Sequence, residues 1–136
     1  MRIRSVLQVS IFLALYFFSP PRESGALAET PGQSLVRSSI HKAIIHGIEI
    51  LYECEFKRAE ELFQEIIDKK PEDPVGYFYL AMVSWHRLAS GFWSSDVLIE
   101  YEKRIDRCIA VAKEKIKNRN ADSFTYFYLG GALGFK

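Results

Sequence analysis

Three histidines, two cysteines and a handful of carboxylates are the residues of this chain with chemistry to offer, and their spacing assembles no reactive set. His41 and His46 stand five positions apart, roughly 140° around a helix, so they do not share a face as the two histidines of an H-E-x-x-H metal site do. His86 follows Trp85 on a different segment, and each histidine reads as a packed or partly exposed helix residue. Cys54 and Cys108 form no C-x-x-C, no haem-attachment motif and no paired Cys/His spacing, which leaves zinc and redox chemistry without ligands. Gly130-Gly131 sits inside a helical pattern rather than in a phosphate-cradling loop. Glu60-Glu61 and Asp68, with Lys57, Arg58 and Lys69 nearby, read as charges on a solvated helix face. No catalytic residue, metal or cofactor is expected, and the chain is read as a non-enzyme.

The elements that carry these residues are bounded by composition. The chain has 136 residues, 49% of them hydrophobic and 14% aromatic, which excludes a disordered linker and leaves room for one small domain. Lysine plus arginine number 18 against 17 acidic residues, a formal charge of +1. Such a balance offers no field to hold a phosphate backbone, and nucleic acid is excluded as a partner.

The amino-terminal segment has the character of an export signal. Arg2 and Arg4 precede an uncharged run from Val6 to Phe18, which is too short for the roughly twenty apolar residues of a membrane-spanning helix. Ser19-Pro20-Pro21 ends the run, and Ala26-Leu27-Ala28 offers the small-x-small pattern of a signal peptidase site. Residues 1–28 are therefore expected to be a signal peptide cut after Ala28, followed by a flexible lead-in over 29–39. The mature protein is expected in the periplasm or secreted, with no stable membrane span. In an oxidising compartment a Cys54–Cys108 disulfide is one reading. The other is a free Cys108 buried on the apolar stripe of its helix.

From residue 40 onward apolar positions recur at helical spacing, giving an all-α expectation. Ile40 to Tyr52 forms a first helix, and Glu53-Cys54-Glu55 is a joint short enough to demand an antiparallel hairpin. Phe56, Ala59, Phe63 and Ile66, widened by Leu62 and Ile67, give a second helix over 56–69. Asp73 is placed to cap a third over 74–89, with Pro74 at its first position. After the break around Gly91, a longer helix carries Leu98, Tyr101, Ile105, Cys108, Ala112 and Ile116 on one face. Asp122 caps a last one over 124–135.

Internal repetition ties these helices together. The pattern Ala43-x-x-His46-Gly47-x-x-Ile50, then Ala59-x-x-x-Phe63, then Pro71, is similar to the tetratricopeptide repeat, in which small residues such as Gly47 and Ala59 let paired helices approach closely. Leu80 lies 34 residues after His46, the repeat length of that family. Tyr77-Phe78-Tyr79-Leu80-Ala81 returns as Tyr126-Phe127-Tyr128-Leu129-Gly130 after 49 residues, so the middle unit carries an insertion. The first signature position lacks Trp, and His46 stands where Leu is usual. The resemblance implies stacked antiparallel hairpins in a solenoid of about two and a half repeats, over 40–71, 72–120 and 121–136.

That resemblance implies a binding function. The first helix of each unit would line a concave groove, reached by Ile44, Ile48 and Leu51, by Phe78, Met82 and Trp85, and by Phe127. With aromatic anchors and no Lys/Arg clamp, such a groove suits an apolar protein or peptide segment. Phe92 and Trp93 in the inserted turn form a secondary candidate contact. The last helix is apolar nearly all round, which leaves three readings: the chain is a fragment of a longer protein, the preferred one; self-association through this helix, the next; or the helix docks back on the array. The alternatives are a purely structural repeat module of a longer envelope protein, or an accessory region of an enzyme whose active site lies elsewhere.

Overall fold

A computed structural model describes residues 31–136, and within them every regular element is an α-helix. The expected signal peptide over 1–28 and the first residues of the lead-in lie outside the described residues. The helices are α1 (Pro31–Tyr52), α2 (Phe56–Lys69), α3 (Pro74–Ala89), α4 (Ser95–Lys117) and α5 (Ser123–Phe135). Helix α1 begins earlier than the pattern from Ile40 suggests. Proline suits a first helical turn, where its missing donor costs nothing, and residues 31–39 are helix rather than a flexible lead-in.

Local chemistry sets the other boundaries. Asp73 Oδ1 accepts from the Val75 amide at 3.1 Å, and Ser94 Oγ accepts from the Val97 amide at 3.2 Å, capping α3 and α4. Asp122 and Thr125 form a reciprocal capping box on α5. Three helix ends close in one way: Cys54, Gly91 and Arg119 adopt left-handed backbone with φ of 61°, 92° and 58°. In each case the following amide reaches back five residues, Glu55 to the Ile50 carbonyl, Phe92 to that of Arg87 and Asn120 to that of Lys115.

Consecutive helices pack as antiparallel hairpins. A Cβ on Gly47 of α1 would meet the Phe63 ring of α2, while one on Gly76 of α3 would meet Ile67 at the end of α2. Asp73 at the start of α3 bonds Lys115 near the end of α4, and Tyr101 of α4 donates its hydroxyl to the Phe135 carbonyl of α5. Two apolar clusters result. One gathers Ile44, Ile50, Leu51, Ala59, Phe63, Ile66, Val75 and Val83 with Tyr128. The other gathers Ala81, Leu88, Val97, Tyr101, Ile105, Cys108 and Ala132. Leu98, expected on the buried stripe of α4, is exposed, and Val97 takes the inward position.

Candidate functional site

The only closed charge constellation among the described residues joins three helices. Arg104 of α4 donates from Nη1 to Glu60 Oε1 at 2.8 Å and to Ser84 Oγ at 2.9 Å, and from Nη2 to Glu100 Oε1 at 2.6 Å. Arg87 of α3 stands 3.9 Å from both Glu60 and Glu100, completing a ring of alternating sign. The Arg104 side chain is 16% exposed and Ser84 is fully buried. Every member has a partner of opposite charge, so the ring holds α2, α3 and α4 in register and leaves no charge free for a substrate. Glu60, expected on a solvated face, is corrected to a half-buried bridging residue. Its partner lies 44 positions away, a distance at which sequence carries no local signal.

The expected groove is largely filled by the protein itself. Ile44 and Leu51 are each 7% exposed and are corrected to core positions, packed in the cluster around Phe63, with Ile48 half-buried beside them. The reason is helical spacing: residues 44, 47, 48 and 51 share one stripe, and Gly47 presses that stripe onto α2. Phe78 lies under α5, its ring 5.4 Å from that of Tyr128 and 3.0 Å from where a Gly131 Cβ would stand. Met82 packs half-buried against the second cluster. Trp85 remains 41% exposed, its indole 5.8 Å from both the Tyr101 and Phe135 rings. Phe127 is 55% exposed and touches only the edge of Tyr128 among the ring contacts.

At the hairpin tips the inserted turn meets the first hairpin. Phe92 lies edge-on to Phe56 at 5.6 Å, and His86 sits between Tyr52 at 5.6 Å and Phe56 at 6.2 Å. Arg87 crosses the Phe56 ring at 5.9 Å. Trp93 projects into solvent. His86 is thus an aromatic packing residue, and His46 faces Glu49 at 3.6 Å on the exposed side of α1. Among the described residues no group of three or more His, Cys, Asp or Glu side chains could hold a metal ion. No helix among them is long and apolar enough to cross a membrane.

Helix α5 presents an open apolar face. Thr125, Tyr128 and Ala132 turn inward, while Tyr126, Phe127 and Leu133 are exposed. Gly130 and Gly134 lie on the same outward side, and a Cβ on either would meet nothing within 4 Å. At the helix start, partial burial opposes ionisation of Asp122. Its hydrogen bonds from Thr125 and the nearby Lys115 and Arg37 cations outweigh that burial and hold the carboxyl below its usual range. Arg37 of α1 also lies over the Phe124 ring at 4.5 Å, tying α1 to α5.

The titratable groups inside are silenced by burial. Desolvation raises Tyr79 and Tyr128, whose hydroxyls are hydrogen-bonded to each other, and pushes the Cys108 thiol up to about 12. Cys108 Sγ lies 3.6 Å from the Pro74 carbonyl, and Cys54 is exposed. The two thiols are free, so the disulfide reading gives way to the buried-hydrophobe one. No family model, curated protein or solved structure matches the chain.

Proposed function

We propose that this chain is an exported scaffold of tetratricopeptide-like helical hairpins that holds a protein or peptide partner, with the outward face of α5 as its binding surface. The single observation that carries this reading is the cluster of exposed Tyr126, Phe127 and Leu133 around two uncovered glycines. Apolar side chains gathered on one face, with aromatic anchors and no charge among them, suit an apolar partner surface. Trp85, beside Phe135, adds a third exposed ring. Export rests on the leader over 1–28, and the repeat reading rests on the Gly47 and Ala81 positions, both of which lie in helix-helix contacts.

A structural-module reading draws on the same geometry. Gly130 is the repeat equivalent of Gly47 and Ala81, and those two are covered by α2 and α4. A photo-crosslinking residue in place of Phe127, with another in place of exposed Gln64 as control, separates the outcomes in cells. The scaffold reading expects one discrete, identified protein adduct at position 127 and none at 64. No adduct at either position overturns it.

A further inference from the structure

We propose that the outward face of α5 is occupied by the same helix of a second copy of this chain, the two crossing antiparallel about a two-fold axis at Gly130. This rests on the reading of that face as a protein-binding surface and names its occupant. The argument begins with shape. Gly130 and Gly134 are one helical turn apart and form a shallow gap, flanked by Tyr126 and Leu133 on one side and Phe127 on the other. Helices approach closely only where both present small residues at the crossing.

In an antiparallel pair centred on Gly130, each stripe of the face meets the same stripe of the partner running the other way. Tyr126 and Leu133 share one stripe and Phe127 and Gly134 the other, so Tyr126 lies opposite the partner's Leu133, Phe127 opposite the partner's Gly134, and Gly130 opposite its own counterpart. Each phenylalanine ring meets a gap, and no two rings collide, so the face is complementary to itself as a two-fold contact requires.

Electrostatics favours the same occupant. Ser123 to Phe135 contains no charged residue, and the adjoining Lys136 is paired with Asp106 at 2.5 Å, so bringing two copies together opposes no like charges. A head-to-tail contact with the outer side of α1 would set this uncharged face against exposed Lys42, His46 and Glu49 and take them out of water with nothing polar in exchange. The helix has 13 residues, about 20 Å long and about 10 Å wide, so its face offers on the order of 200 Å², well under the roughly 800 Å² per partner typical of stable complexes. The association is therefore weak and concentration-dependent.

Sedimentation equilibrium of the full chain from roughly micromolar to roughly millimolar concentration tests it. The expected mass climbs from one chain to two and stops there. Gly130→Arg sets two cations on the axis and keeps the chain monomeric throughout, with unchanged helical content. Gly130→Cys in a Cys54→Ser background places two thiols in apposition, and air oxidation links the chains; Ser123→Cys, far from the axis, does not. A monomer at every concentration overturns the inference, as does a mass that climbs equally in Gly130→Arg or continues past two. A monomer that still crosslinks to a different protein through position 127 loses the second copy but keeps the scaffold.

Discussion

The ring of Phe63 occupies the space that a side chain at Gly47 would need: a Cβ there would stand 2.5 Å from Cζ and 2.6 Å from Cε1. Both residues are buried, and the contact joins α1 to α2 at the centre of the first cluster. Alanine at position 47 gains up to about 1 kcal/mol of helix propensity but must displace an aromatic ring stacked on Tyr79 at 5.4 Å. Overpacking dominates, and Gly47→Ala is expected to destabilise by about 1–3 kcal/mol in urea unfolding. Gly130→Ala, facing open space, is expected to stabilise the monomer by about 0.5–1 kcal/mol. Equal signs for the two substitutions would contradict the assigned contacts.

Removing Arg104 tests the charge ring. Arg104→Ala strips the donors from Ser84 Oγ and the Leu80 carbonyl and leaves Glu60 with only the distant Arg87. The expected loss is about 2–3 kcal/mol, since part-buried acceptors lose their charged donor and two carboxylates are left to the more distant Arg87. Arg58→Ala removes an exposed pair with Glu55 and is expected to cost no more than about 0.5 kcal/mol. Comparable losses would mean that the ring contributes no more than a surface pair.

The three left-handed helix ends predict gains. Only one of the three positions is glycine, and Cys54 and Arg119 hold side chains where a Cβ is sterically penalised. Cys54→Gly and Arg119→Gly are each expected to raise stability by about 0.5–1 kcal/mol, while Gly91→Ala lowers it by a similar amount. Melting temperatures of the three variants check this.

Acid stability is expected to depend on Asp122. Its folded-state pKa is depressed, so the stabilisation it gives is present above the ordinary carboxylate value and is lost as pH falls through the folded value. Asp122→Asn keeps a capping oxygen but loses the attraction of Lys115 and Arg37, and its stability profile is expected to be flatter below about pH 4. Parallel acid-unfolding curves for the two proteins would remove Asp122 from the account.

Much of the fold was legible because short-range signals determine it. The spacing over 56–69 and the Asp73-Pro74 pair mark α2 and the start of α3, and Asp122 caps α5 as its position suggests. The candidate site was less legible. Gly47 reads as inward and Ile44 and Leu51 as groove-facing, whereas a 3-4-7 spacing sets all of them on one buried stripe. Gly47 stands out as a small contact residue, and a side chain there would meet Phe63 and Leu62 rather than Ala59. The sequence neighbours of Glu60 point to a solvated face, whereas Arg104 reaches it from another hairpin. Long-range pairs of this kind leave no periodicity to read.

The two thiols are expected to differ in reactivity by orders of magnitude. Cys54 is exposed on a helix-helix turn, whereas Cys108 is fully buried and its thiol is pushed up to about 12 by desolvation. Since the thiolate is the nucleophile, native protein at pH 8 should consume one equivalent of a thiol reagent quickly and a second only on unfolding. Cys54→Ser should abolish the fast phase and leave the slow one. A raised folded-state pKa for an acid stabilises the fold below the unfolded value, roughly 8.5, and that contribution is lost as pH rises through about 12. Cys108→Ala should therefore soften the alkaline loss of stability while costing packing in the second cluster at neutral pH. Two fast thiols in the native protein, or none because the pair has oxidised, would contradict the burial of Cys108 between α3 and α4.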